Sequence, residues 1–152
     1  MVFRYSVFVT ITIAFYLFGN IQYLKANKSH SHHDHHDHHN RTIEMGKKAK
    51  PVSLTVNKVK DSMDGWNIEI IADNFTFSPT NAGKDHIPGE GHAHLYVNGK
   101  KQARLYGSWY HLSKKLLKKG KNEVTISLHA NSHEQLTVNG KPLKQTFTLN
   151  HK

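Results

Sequence analysis

The architecture of this chain can be worked out from one short run, His92-Ala-His94-Leu-Tyr-Val97, and the dipeptide Asn98-Gly99 that follows it. Apolar and polar residues alternate along the run, which is the pattern of a β-strand with one buried face. The alanine, leucine and valine share one face, and the two histidines and the tyrosine share the other. Asn-Gly between alternating runs is the strongest short-range signal for a hairpin. The run therefore predicts a hairpin with two imidazoles side by side, facing away from the core on an accessible rim or outer face.

The same alternation recurs from Pro51 onward. Strands are predicted at residues 52–60, 66–73, 92–97, 101–106, 122–129, 135–138 and 142–149, with turn residues between them. A second Asn-Gly pair, Asn139-Gly140, predicts a second hairpin between the last two strands. Seven or eight short strands without a long amphipathic helix indicate an all-β fold. We therefore predict an antiparallel β-sandwich, immunoglobulin-like or cupredoxin-like, over residues 51–152.

The inward-facing apolar residues of these strands form the predicted core: Trp66, Phe75, Phe77, Leu95, Val97, Leu105, Val124, Ile126, Leu128, Val138 and Phe147. A core of this size suits an independent domain of about 100 residues. The chain has no cysteine, which excludes disulfides, thiolate metal ligands and a cysteine nucleophile.

The N-terminus predicts export. Residues 1–4 are short and basic, and residues 5–19 are uncharged and mostly apolar. This run matches the apolar core of a secretory signal and is short for a membrane span of about 20 residues. We predict a signal peptide over residues 1–26, with an uncleaved membrane anchor as the alternative. Either form places the remainder in the periplasm or outside the cell.

Residues 27–50 are predicted to be a disordered linker, because their centre is polar throughout. Seven histidines and two aspartates lie within residues 29–39. Neutral imidazoles and carboxylates suit Cu²⁺ and Zn²⁺. The histidines that we expect to capture metal loosely are His32, His33, His35, His36, His38 and His39. An expression tag, a pH-sensitive polar spacer and low-complexity drift remain alternatives.

Four histidines of the predicted sandwich are further candidate ligands. His92 and His94 share a strand face, His111 lies in an aromatic crossover, and His133 lies in a loop. Because loops gather at the two ends of a sandwich, we expect His92, His111 and His133, together with His86 of the loop before His92, to converge at one rim. Three or four imidazoles there would suit copper or zinc. A blue-copper centre needs a cysteine and is excluded. The alternative is that each histidine is an ordinary surface or structural residue.

Other chemistry has little support in the sequence. There is no Gly-x-Ser-x-Gly elbow and no glycine-rich phosphate loop opening a helix. We therefore predict that the protein is not an enzyme. The formal net charge of +10 could attract an anionic surface, but nucleic acid is a poor partner for an exported protein. Any membrane contact is expected only through an uncleaved N-terminal segment.

The run Gly-Glu-Gly-His92-Ala-His94-Leu-Tyr-Val-Asn-Gly resembles a motif of small exported bacterial domains of unknown function. In these a Gly-His-x-His-Leu strand precedes a second alternating strand and a loop histidine, here residues 124–128 and His133. The resemblance covers roughly residues 66–149. It implies a periplasmic or secreted β-sandwich of immunoglobulin or cupredoxin type, and it implies no particular activity.

Two functional hypotheses follow from these patterns. The first is an exported, non-enzymatic domain that binds copper or zinc through the histidine-rich tract and a histidine cluster on the sandwich. The second is an extracytoplasmic interaction or surface-binding module, which would meet an anionic surface or a protein partner and whose folded histidines have no metal role.

Overall fold

The computed structural model describes residues 41–45 and 51–152, which form two β-sheets and no α-helix. In chain order the strands are β1 (Thr42–Glu44), β2 (Ser53–Lys60), β3 (Trp66–Asp73), β4 (Thr76–Phe77), β5 (Glu90–Val97), β6 (Lys100–Leu105), β7 (Trp109–Leu112), β8 (Gly120–Ala130), β9 (Gln135–Val138), β10 (Lys141–Pro142) and β11 (Lys144–His151). Two single 3₁₀ turns, Pro79–Asn81 and Lys114–Leu116, join them. The predicted signal peptide or anchor and the histidine tract lie outside the described residues. No helix in the described ranges is long and apolar enough to cross a membrane.

The larger sheet contains eight strands and the smaller sheet three. The larger sheet runs in the order β1-β9-β8-β5-β4, with β6 paired to β5, β11 to β8 and β10 to β9. The smaller sheet runs β2-β3-β7. All pairs are antiparallel except β1 with β9 and β4 with β5, which are short and parallel. The predicted all-β sandwich is confirmed.

The apolar core lies where the inward faces of both sheets contribute buried side chains. Leu95, Ile126 and Leu128 of the larger sheet and Ile68 and Ile70 of the smaller sheet are fully buried. The predicted core residues are all in or against this cluster, although Phe75, Phe77, Val138 and Phe147 are only partly buried. The alternation of β5 is therefore confirmed, because Ala93, Leu95 and Val97 belong to the core.

Both Asn-Gly turns reverse the chain as predicted. Asn98 and Asn139 have φ angles of 51° and 52°, and each glycine that follows also has a positive φ, as type I′ hairpin turns require. The predicted long second hairpin is wrong, however. β10 pairs with β9 over two residues only, and β11 pairs with β8 along its whole length. Pro142 has no amide hydrogen to donate. The Leu143 amide still donates to the Leu136 carbonyl of β9 at 2.8 Å, whereas the Leu143 carbonyl already accepts from the Leu128 amide of β8 at 2.9 Å, so the chain changes partner at this point.

The predicted linker boundary at residue 50 is also corrected. Residues 42–44 form β1, which pairs with β9. Glu44 fastens this strand, since its carboxylate accepts hydrogen bonds from the backbone amides of Asn139 at 2.6 Å and Gly140 at 3.0 Å and from the Thr137 hydroxyl at 2.6 Å. These donors lower the pKa of Glu44, with Thr137 the largest cause. A segment of three residues with polar neighbours is too short to show the alternation by which a strand is recognised in the sequence.

Candidate metal centre

His92 and His94 lie on the face of β5 that points away from the apolar core, yet both are buried. Their exposed fractions are 0% and 1%, so the expectation of an accessible rim or outer-face position is wrong. Other rings cover them: the ring centroid of His129 lies 3.8 Å from that of His94, and the ring centroid of Tyr106 lies 5.6 Å from that of His92. Sequence alternation separates the two faces of a strand, but it does not show what packs on the outer one.

Three imidazoles converge at this point: His92, His94 and His133, which we call the histidine triad. One ring nitrogen of each lies within 4.8 Å of the others. The Nε2 atoms of His92 and His94 are 3.0 Å apart, and the ring centroids of His92 and His133 are 4.8 Å apart. Two nitrogens on a tetrahedral zinc ion, each at about 2.0–2.1 Å from the metal, lie about 3.4 Å apart. The Nε2–Nε2 distance of 3.0 Å is shorter than this spacing and the 4.8 Å limit is longer, so the triad lies near the geometry of such a site.

His133 reaches the triad from the loop between β8 and β9. Its φ angle is 80°, a left-handed conformation that is uncommon for a residue other than glycine. The turn is held by its own backbone amide, which donates to the Ala130 carbonyl at 3.0 Å. Strained backbone of this kind is often found at binding sites, and here it places an imidazole over the β5 histidines.

His129 is the fourth imidazole of the cluster, and sequence reasoning did not select it as a ligand. It pairs with His92 in the β5–β8 register. Its Nδ1 lies 3.1 Å from the His133 carbonyl oxygen and must donate to it, because a carbonyl only accepts. Its Nε2 lies 2.9 Å from the Ser127 hydroxyl and therefore accepts. Because both of its ring nitrogens are hydrogen-bonded, His129 positions the His133 loop. The sequence signal for this residue was its place on the outward face of β8, which follows from the alternation of the strand.

The tautomer of His94 follows from its neighbour on β6. The ammonium of Lys101 lies 3.0 Å from His94 Nε2 and can only donate. His94 Nε2 therefore carries the lone pair, and Nδ1 carries the hydrogen, directed at the Tyr96 hydroxyl 3.4 Å away. This arrangement holds the lone pair of His94 toward the centre of the cluster, which is the form that binds metals.

Burial keeps these imidazoles neutral. Burial, with smaller effects of His133 and His129, lowers the pKa of His92 to about 3. Burial also lowers the pKa of His94 strongly, followed by the effect of His129. The pKa of His133 is lowered too, again chiefly by burial. Neutral imidazoles are the metal-binding form, so the triad is ready for a metal at neutral pH without first losing protons.

Within the part of the chain that the structure describes, one buried nitrogen of the cluster has no hydrogen-bond partner. His92 Nδ1 is buried and makes no hydrogen bond within residues 41–45 and 51–152. A buried polar atom left unpaired costs about 1–3 kcal/mol. A buried imidazole nitrogen without a hydrogen-bond partner is available as a metal ligand, and a bound ion would remove that cost.

His86, predicted to join the cluster, is not part of the triad, and neither is His111. His111 lies on β7 of the smaller sheet, opposite Asn67 of β3. Its Nδ1 is 3.0 Å from the Asn67 side-chain oxygen, and its Nε2 is 3.5 Å from the Asp64 carboxylate. The connection from β6 to β7 crosses to the other sheet. The spacing of residues along the sequence does not show which sheet a strand joins, so the position of His111 could not be predicted.

The triad confirms that the folded part of the chain has a histidine cluster close enough to hold a metal ion. The six predicted ligands of the tract, His32, His33, His35, His36, His38 and His39, lie outside the described residues. No family model matches the chain, and neither a curated protein nor a solved structure shows significant similarity to it.

Proposed function

We propose that this protein is an exported, non-enzymatic metal-binding protein that holds one copper or zinc ion in the histidine triad. The observation that carries the proposal is the convergence of three imidazole nitrogens within 4.8 Å, two of them on the buried His92 and His94 and one on the partly buried His133. An all-imidazole ligand set suits copper and zinc, whereas Ca²⁺ and Mg²⁺ require oxygen ligands. Export is supported by the apolar run at residues 5–19.

The histidine-rich tract precedes in sequence the described segment that begins at Arg41. The Arg41 carbonyl accepts a hydrogen bond from the Gln135 amide at 3.0 Å, and Gln135 pairs with His129. His39 precedes Arg41 by two residues, a span of at most about 7 Å. Because the tract and the triad belong to one chain, metal captured loosely by the tract would have a raised effective concentration at the triad.

Calorimetric titration of Zn²⁺ and Cu²⁺ tests the proposal. The full chain would be compared with a tract variant, the full chain in which all seven histidines of residues 30–39 are replaced by asparagine. We expect the tract variant to bind one equivalent with a Kd below about 10 μM, which corresponds to about −7 kcal/mol. The unsubstituted chain should bind additional, weaker equivalents.

Two substitutions in the tract variant locate the site. His92→Ala should weaken metal binding at least 10-fold, because it removes one of the three ligands and leaves a cavity at a buried position. His111→Ala is the matched control, since His111 lies on the smaller sheet, and it should leave the affinity unchanged. Unchanged affinity in the His92 variant would contradict the triad as the site even if metal binding stands.

A tract variant that binds neither ion more tightly than about 10 μM would contradict the proposed function. The interaction module would then be favoured, with the imidazoles as structural residues. The outer face of the smaller sheet would be its first candidate surface, because Trp109 there is 58% exposed, and exposed aromatic residues are enriched at binding surfaces.

A further inference from the structure

Two cationic side chains border the histidine triad from β6. In the β5–β6 register, Arg104 lies opposite His94 and Lys101 lies opposite Tyr96, so both cations share the outward face with the imidazoles. Their positive charges contribute to the lowered pKa values of His92, His94 and His133. The site is therefore bordered on its β6 side by two positively charged side chains.

The position of Lys101 is close to that of a metal ligand. Its Nζ atom lies 3.0 Å from His94 Nε2, and two ligands on a tetrahedral zinc ion lie about 3.4 Å apart. A tetrahedral ion held by three imidazoles has one further coordination position. A protonated ammonium cannot fill that position, because it has no lone pair, but it can hold an anion there.

The charge balance of the site also favours a bound anion. All three members of the triad are neutral ligands, so a divalent ion would keep its full charge next to Lys101 and Arg104. Glu134 offsets part of this charge, since it raises the pKa of His133, but the balance remains positive. Uncompensated charge in a buried position is strongly unfavourable. An anion bound to the metal would remove most of that cost.

We propose that the metal held by the histidine triad binds a small oxyanion, a carboxylate or a phosphate, in its remaining coordination position, and that Lys101 and Arg104 hold this anion. The inference rests on the proposed function. The Lys101 ammonium is a mobile point charge with three donors, and the Arg104 guanidinium is oriented by a hydrogen bond from its Nη1 to the Tyr106 hydroxyl at 3.2 Å. The protein would thus recognise a metal and an anion together.

Azide binding to the copper-loaded tract variant tests this site, because azide that binds Cu²⁺ in the open coordination position produces an absorption band. One equivalent of Cu²⁺ would be added in a non-coordinating buffer, and azide would be followed by its charge-transfer band to copper. Acetate and phosphate would then be added separately as competitors, to distinguish a carboxylate from a phosphate. We expect azide to bind and at least one of the two oxyanions to displace it.

Substitutions on β6 test whether Lys101 and Arg104 hold the anion. Lys101→Met should weaken azide binding about 10-fold or more while copper affinity in the anion-free buffer stays the same or rises. Lys101→Arg should retain most of the azide affinity, and Arg104→Met should weaken it without the risk of disturbing a buried position, because Arg104 is exposed. Lys100→Met, at the exposed neighbouring position, is the control and should have no effect.

Three results would overturn the inference. Copper binding with unchanged azide affinity in both the Lys101→Met and Arg104→Met variants would exclude an anion held by these cations. Loss of copper affinity in Lys101→Met without added anion would make Lys101 a metal ligand instead. Absence of stoichiometric binding of both copper and zinc in the tract variant itself would overturn the proposed function, and this inference with it.

Discussion

At the scale of single residues, His94 shows how an outward strand position becomes a buried one. Its ring stacks on His129 at a centroid distance of 3.8 Å, and its Nε2 accepts from Lys101. Neither contact involves the apolar core. A second, polar cluster thus forms on the opposite face of the same strand, and its members are held neutral by their mutual burial.

This neutrality predicts a pH-dependent stability for the metal-free protein. The pKa of His92 is about 3 in the folded state and about 6.5 in an unfolded chain. Between these values the unfolded chain binds a proton that the folded one does not. Stability should therefore fall as the pH drops below about 6.5 and continue to fall toward about 3, by up to about 1.4 kcal/mol per pH unit for each such group.

Urea unfolding of the tract variant with a chelator present, at pH 7 and pH 5, measures this loss. This range lies above the ordinary carboxylate pKa values of about 4, so the imidazoles dominate. The His92→Asn variant should lose less stability over the same interval, because it removes one titrating group. An equal loss in both proteins would mean that the His92 pKa is not lowered in the fold.

At the scale of secondary-structure elements, the pairing of β5 with β8 builds the site. Their register sets His92 beside His129 and His94 beside Ser127. Immediately before His92, Gly91 faces Ala130, and a Cβ atom at Gly91 would collide with the His129 carbonyl oxygen. The glycine is therefore required by the close approach of the two strands.

Gly91→Ala should destabilise the domain by about 2–3 kcal/mol, because the collision is with backbone and cannot be relieved by a side-chain rotation. It should also weaken metal binding, since His92 and His129 would be pushed apart. Gly107→Ala is the matched control, as a Cβ there meets nothing within 4 Å. Urea unfolding and zinc titration of the two variants compare these effects. A Gly91 variant as stable as the Gly107 variant would contradict the required close approach.

At the scale of the whole molecule, the triad joins parts of the chain that are far apart in sequence. His92 and His94 come from β5, and His133 comes from the loop that follows β8. A bound metal would fix that loop to the strand. Binding to the folded state alone stabilises a protein by mass action.

Zinc at 100 times its Kd should therefore raise the free energy of unfolding of the tract variant by about 2.7 kcal/mol. The increase should disappear when His92 and His94 are both replaced by alanine. Thermal and urea unfolding with and without zinc measure it. The same increase in the doubly substituted protein would place the bound metal elsewhere in the chain.

Much of the fold was predictable because its signals are local. Strand β3 was predicted with its observed limits, residues 66–73, since alternation depends only on the side-chain period of an extended backbone. Both Asn-Gly turns were predictable because asparagine and glycine tolerate a positive φ. The strand β1 was missed because three residues carry too little alternation to be recognised.

The sequence by itself determined the all-β class, the positions of the main strands and turns, and the face on which His92 and His94 lie. Only the tertiary structure decided that this face is buried, that His133 and His129 join it, and that His111 lies on the other sheet. The physical reason is that pattern and turn chemistry act between neighbours in the chain, whereas convergence depends on strand pairing. The register of β5 with β8 joins residues that are 27 to 39 positions apart, from Val97–Val124 to Gly91–Ala130, and the packing that selects it involves both sheets at once.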